Sequence, residues 1–216
     1  MAKRQTPERT NSSTPRTSVG RAILLLAFCA VGLVYWRWFL PGAITWGDWL
    51  YLTKATLADF TPTLWGSDTG LGAYRIISAP LFPILMLQRV LSQALHLDYS
   101  VIERLLWFYP FVLLSVTSPW YLARTLGYRR SGAAAVILVF SLNTYMFFIA
   151  GQLTVGMAQV LGPLVVAVFV RTVERPFARA GLLLGLAASL QMVYDVRIFY
   201  VTTLFCGLYL LYFLIT

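Results

Sequence analysis

Long apolar runs separated by short polar breaks make up most of the chain. They cover Ala22–Leu40, Val101–Ala123, Ala133–Ala150, Thr154–Val170, Ala180–Met192 and Phe199–Thr216. A helix needs ~20 apolar residues to cross a hydrocarbon core ~30 Å thick, and most of these runs come near that length. The pattern predicts an all-α protein, a polytopic transmembrane helical bundle of about six spans. Apolar and polar residues do not alternate with a period of two, which argues against a membrane β-barrel.

Two stretches break the pattern. Residues 1–20 are rich in Ser, Thr, Pro and Arg, cannot form a core, and read as a disordered cytoplasmic tail. Together with Arg21 the tail carries Lys3, Arg4, Arg9 and Arg16 against Glu8, so the positive-inside rule places the N-terminus in the cytoplasm. Residues 21–216 then form one membrane domain, with 22–40 as the first span, 42–100 as a large extracytoplasmic loop carrying interfacial helices, and 101–216 as further spans. No small-x-small cleavage site follows the first run, and Trp36-Arg37-Trp38-Phe39 reads as an interfacial anchor, so the run is expected to be an uncleaved signal-anchor.

The second break is Gly42–Tyr74, a polar, Trp- and Gly-rich segment holding Asp48, Asp59 and Asp68. Trp49, Leu50, Leu52, Leu57 and Phe60 predict a short amphipathic helix on the membrane surface, ended by Thr61-Pro62. Gly66, Gly70 and Gly72 predict an irregular loop. Leu81–Leu97 is apolar but interrupted by Gln88, Arg89, Ser92, Gln93 and His96. If it crossed, Arg124, Arg129, Arg130, Arg171, Arg175 and Arg179 would all fall outside. An interfacial or re-entrant helix puts all six inside, as the positive-inside rule requires. Six of the eight acids then lie on the outer side: Asp48, Asp59, Asp68, Asp98, Glu103 and Asp195. The last run ends without a polar flank, so the chain is expected to be the N-terminal part of something longer.

Composition agrees with the membrane reading. Hydrophobic residues make up 59% and charged residues 12%, with a mean hydropathy of +0.72, against about 25% charged in soluble domains. The net charge of +9 does not suggest a nucleic-acid partner, because the basic residues flank the apolar runs instead of lining one face. Cys29 and Cys206 lie inside predicted spans and, with a single histidine, make no zinc constellation.

Asp48, in Trp46-Gly47-Asp48-Trp49, is the candidate catalytic residue. A carboxylate between two indoles just past the first span can act as a partly desolvated general base. The same residue directly precedes a helical pattern and can cap it through the backbone N–H of Leu50 or Tyr51. Asp68 is a candidate for sugar or metal contact, or an Asx turn residue. Arg75, His96, Arg104 and Arg197 are outer-side cations able to meet a lipid phosphate, or anchors that snorkel to head groups. Asp195 and Arg197 read as a charged pair in a tight turn, costly between apolar helices unless paired or functional. Asn143, Tyr145 and Gln152 either line a cavity or satisfy one another between helices.

The order of these features resembles the GT-C class of polyprenyl-phosphate-sugar-dependent glycosyltransferases, most of all the actinobacterial arabinofuranosyltransferase type. Asp48 sits where the family's loop acid falls. Trp65–Tyr74 is similar to its aromatic-and-Gly loop, and Pro80-Leu81-Phe82-Pro83 to its step into an interfacial helix. Leu97–Leu105 resembles a short loop ending in an acid-Arg-Leu triplet, and Leu122–Gly127 its cytoplasmic hairpin. Asn143-Thr144-Tyr145 followed by Gly151-Gln152 resembles its Asn-Pro-Tyr and Gly-Gln pattern, with Thr144 where proline is common. The resemblance implies a polyprenyl-phosphate-linked sugar donor, a glycan or lipid acceptor, and Asp48 as base. Asp68, Arg75, His96, Arg104, Asn143, Gln152 and Arg197 would bind substrate. No cofactor is implied outright, though a divalent cation is compatible with the class. The competing readings are a transporter or flippase of a lipid-linked saccharide, and a non-catalytic envelope scaffold.

Overall fold

The structure is a computed structural model that describes residues 16–42, 65–66, 73–74 and 79–215. Asp48, Asp59, Asp68, Arg75 and the amphipathic helix expected over 49–60 lie outside the described residues. Within them the fold is helical, apart from one two-residue antiparallel ladder.

Helix α1 runs Arg16–Val34 and passes through Tyr35 into a 3-10 turn at Trp36–Phe39. It starts inside the stretch expected to be tail and ends before the run's last aromatic residues. Trp65 and Gly66 pair with Tyr74 and Ala73, so part of the expected irregular loop is a ladder. A turn at Ala79–Leu81 leads into α2, Phe82–Ala94. Pro83 suits the first turn of α2, where its missing N–H costs nothing. His96 stops the helix in a left-handed conformation, φ 51°. At 13 residues, α2 spans only ~20 Å and is too short to cross a bilayer.

Helix α3 is continuous over Tyr99–Thr125, with a π-helical stretch at Arg104–Phe108. The expected third span is broken in two. Helix α4 covers Arg130–Ser141 and α5 covers Thr144–Ile149. Asn143 is the reason: its Oδ1 accepts the N–H of Met146 at 2.9 Å, capping α5, while its Nδ2 donates to the carbonyls of Phe140 at 2.7 Å and Val139 at 3.0 Å. Helices α6 (Leu153–Glu174), α7 (Ala178–Tyr194) and α8 (Val196–Ile215) complete the chain.

Among the described residues, three helices are long and apolar enough to cross a membrane: α3, α6 and α8. The apolar parts of α1, α4 and α7 are shorter. Helix α6 is the hub and packs against α3, α7 and α8; α3 also packs on α4, and α4 on α1. The core between them holds Trp107, Phe111, Val116, Ile137, Met157 and Leu161. Pro119 lacks the N–H that would bond the Ser115 carbonyl one turn earlier in α3. Ser141 of α4 supplies the missing donor, its Oγ 2.5 Å from that carbonyl.

Contacts across the bundle define two ends. At one, Arg171 donates to the Tyr121 hydroxyl with its guanidinium 5.5 Å from the Tyr121 ring centre, and the Tyr209 hydroxyl lies 3.1 Å from Glu174. Arg124, Arg129, Arg130, Arg175 and Arg179 follow from the same helix ends. The opposite end carries Asp98, Glu103 and Asp195 together with Arg104 and Arg197.

Candidate functional site at the acid-rich end of the bundle

The acid-rich end is built around the exit of α1. Tyr35 packs against Trp38 with its ring tilted (4.7 Å between ring centres) and meets the Phe111 edge at 5.4 Å, while Trp38 lies 4.7 Å from Phe108. These rings fasten the 3-10 turn to α3. Just beyond it, Leu40 and Gly42 lie outside any helix, with carbonyls that a side chain can satisfy. Arg104 does so from the π-helical stretch, donating through Nη2 to Leu40 and to Gly42 at 2.6 Å, and through Nη1 to Ser100 at 2.7 Å. Arg104 is 6% exposed, and its buried Nε has no partner among the described residues. A buried guanidinium on three carbonyls is a charge-assisted clamp, and each such bond outweighs a neutral one. Gly42 stands at φ +106°, a backbone conformation that side chains other than glycine rarely tolerate.

The other turns at this end are tied to the same cluster. Phe147 of α5 lies 6.3 Å from Tyr35, so the break at Asn143 sits beside the α1 exit. The Tyr194 hydroxyl donates to the Leu106 carbonyl at 3.1 Å and its ring meets Trp107 edge-on at 5.2 Å. The Asp195–Arg197 turn follows directly. Asp195 caps α8, with Oδ1 accepting the N–H groups of Arg197 at 2.8 Å and Ile198 at 3.3 Å, and its Oδ2 is 2.6 Å from Arg197 Nη2. Burial pushes the Asp195 carboxyl up, but hydrogen bonds from Arg197 and Ile198 outweigh burial and hold it below its ordinary 3.8.

The residues expected to bind substrate therefore separate by role. Arg104 and Asn143 are committed to main-chain groups and do not offer their side chains to a ligand. Arg197 keeps its pair with Asp195, yet its side chain is 71% exposed and open to the surface. Gln152 is exposed, its main-chain carbonyl accepting from Gly156 at 2.9 Å at the start of α6. His96 is exposed and terminates α2. Among the described residues, no three His, Cys, Asp or Glu side chains come together as metal ligands.

Sequence reasoning did not single out Gln191, Tyr194 or Ser141 as partners across the bundle. Gln191 is fully buried and donates to the Ala158 carbonyl at 2.9 Å and Thr202 Oγ at 2.7 Å, joining α6, α7 and α8. Its visible signal was a lone amide near the end of an apolar run. Gln88 of α2 is also fully buried, with neither amide atom bonded among the described residues.

No protein family, curated protein or solved structure matches the chain.

Proposed function

We propose that the protein is a membrane glycosyltransferase that moves a sugar from a polyprenyl-phosphate donor to an extracytoplasmic glycan or lipid acceptor. The Arg104 clamp is the observation that carries this reading. It fixes Gly42, the mouth of the segment holding Asp48, to α3 at the acid-rich end of the bundle. Asp48 is six residues further on, so chain length alone keeps it within roughly 20 Å of that carbonyl. The resemblance of residues 45–159 to the GT-C pattern supports the same assignment. The concentration of arginines at the opposite end supports an orientation with the acid-rich end outside.

In this mechanism the donor enters from the bilayer with its phosphate among the outer cations, Arg75, His96 and Arg197. Asp48 takes the proton from the acceptor hydroxyl. The acceptor oxygen bonds to the anomeric carbon as the bond from that carbon to the phosphate oxygen breaks. Polyprenyl phosphate leaves, and the anomeric configuration inverts. Arg104 holds the loop's mouth and does not itself bind the phosphate.

The test uses the full-length protein with undecaprenyl phosphate as probe, undecaprenol as its uncharged control, and transfer from polyprenyl-phosphate sugars in membrane vesicles as readout. The account expects tight binding of the phosphate over the alcohol. It also expects Asp48→Asn to keep that binding and lose transfer by at least about 100-fold, the size of a general-base contribution. Unchanged transfer in Asp48→Asn rules out the base, and equal binding of phosphate and alcohol rules out the donor class.

A further inference from the structure

The basic end of the bundle carries a groove of about 400 Å³ between α1 and α3. Leu25 and Phe28 of α1 and Val116 and Trp120 of α3 form its walls, Ile137 of α4 lies at its floor, and Arg21 stands at its rim. Its walls are almost wholly carbon. Arg21 and Phe28 share one face of α1, two turns apart, which gives the groove a length of ~10 Å along the helix. Ile137 is fully buried, so the bundle closes the groove from behind, while Trp120 is 38% exposed beside the open side. None of the lining residues is acidic.

From this we infer that the groove is a binding site for an anionic glycerophospholipid, with one acyl chain in the groove and the phosphate at Arg21. Charge selects this occupant. An apolar slot alone accepts any acyl chain, but a guanidinium at its mouth favours a lipid with net negative charge and binds its phosphate in a fork. The surroundings agree. Arg124, Arg129 and Arg130 begin and end the neighbouring α3–α4 hairpin, and a basic end of this kind faces the anionic leaflet. An indole beside an arginine marks the depth of the head groups, where both side chains are favoured. The inference concerns the end of the bundle opposite the acid-rich end and does not depend on the glycosyltransferase reading.

Native mass spectrometry of the purified full-length protein tests it, with phosphatidylglycerol and phosphatidylcholine of identical acyl chains added at equal concentration. Wild type should retain phosphatidylglycerol about fivefold over phosphatidylcholine, the worth of one cation at a membrane surface. Arg21→Gln should bring the ratio near one, and Leu25→Trp, at an exposed position that fills the groove, should reduce retention of both lipids. Arg179→Gln, at the same end but away from the groove, should leave the ratio unchanged. The inference is overturned by a ratio near one in wild type, by an unchanged ratio in Arg21→Gln, or by an equal loss in Arg179→Gln. It is equally overturned if undecaprenyl phosphate at the same concentration displaces phosphatidylglycerol.

Discussion

Helices α6 and α8 have the same mean hydropathy and nearly the same length, yet 67% of the apolar stretch of α6 is buried and only 11% of that of α8. The difference lies in side-chain size. Helix α6 carries Gly156, Ala158 and Gly162 on its packed surface, and the Ala158–Gly162 pair has the small-xxx-small spacing that lets helices approach closely. Phe111 of α3 presses onto Gly156, and Gln191 and Thr202 onto Gly162. Helix α8 presents Tyr200, Leu204, Phe205, Leu208 and Leu211 outward and meets the bundle mainly at Thr202 and Cys206. In a bilayer, lipid covers such a face as well as protein does, so apolarity alone creates no pull inward. Packing holds α6, whereas a few polar points hold α8: the Asp195 cap, the Gln191–Thr202 bond and the Tyr209–Glu174 bond.

Paired substitutions in the packed half and on α8 sharpen this contrast. The widest gap is expected between two arginines at the same end. Arg104→Met should cost about 3 kcal/mol, because it removes a buried guanidinium's charged hydrogen bonds to three carbonyls, whereas Arg197→Met should cost about 1 kcal/mol, because its guanidinium is exposed and the buried Asp195 carboxylate keeps its main-chain N–H bonds. Denaturation of both variants in mild detergent measures this, and equal costs would break the comparison. Next come two glycines. A Cβ at Gly156 would lie 2.9 Å from the Phe111 ring and 3.2 Å from the Ile149 carbonyl, while one at Gly207 meets nothing within 4 Å. Gly156→Ala should therefore cost about 2 kcal/mol by overpacking, and Gly207→Ala should stay within about 0.5 kcal/mol of wild type.

A smaller effect is expected at the proline bridge. Ser141→Ala should cost about 1 kcal/mol in wild type and clearly less in a Pro119→Ala background, where the backbone N–H returns to bond Ser115. Additive losses in the double-mutant cycle would show that Ser141 does not compensate for Pro119. The smallest effect is the pH response at the head of α8. The Asp195 carboxyl lies below its ordinary 3.8, so its stabilisation is complete above that pH and fades as acid carries the pH down through the lowered value. Asp195→Asn should remove that part of the acid-induced loss and leave the profile above about pH 5 unchanged in shape.

The runs that pack or span were readable because they are long. The expected Thr154–Val170 lies within α6 and Phe199–Thr216 largely within α8. The Leu81–Leu97 stretch, argued to be interfacial from charge placement, does contain a helix too short to cross. The third run misled because its apolar count hid a cap. Asn143 carries the short polar side chain that ends one helix and starts another, whereas the sequence suggests a cavity lining or a polar contact between helices. Arg104 was readable as a cation at a helix start. Its partners were not, since the Gly42 carbonyl is 62 residues away in the chain. Burial of α6 over α8 was legible only through small residues, which hydropathy ignores.

Everything proposed for the acid-rich end depends on which side of the membrane it faces. Single cysteines at 48, 96 and 152, and at 128 and 177, in a background lacking Cys29 and Cys206, settle this with a membrane-impermeant thiol reagent on intact cells. The account predicts labelling at 48, 96 and 152, with 128 and 177 labelled only after lysis. Labelling of 128 and 177 in intact cells, with 48, 96 and 152 protected, would invert the bundle and remove Asp48 as an extracytoplasmic base.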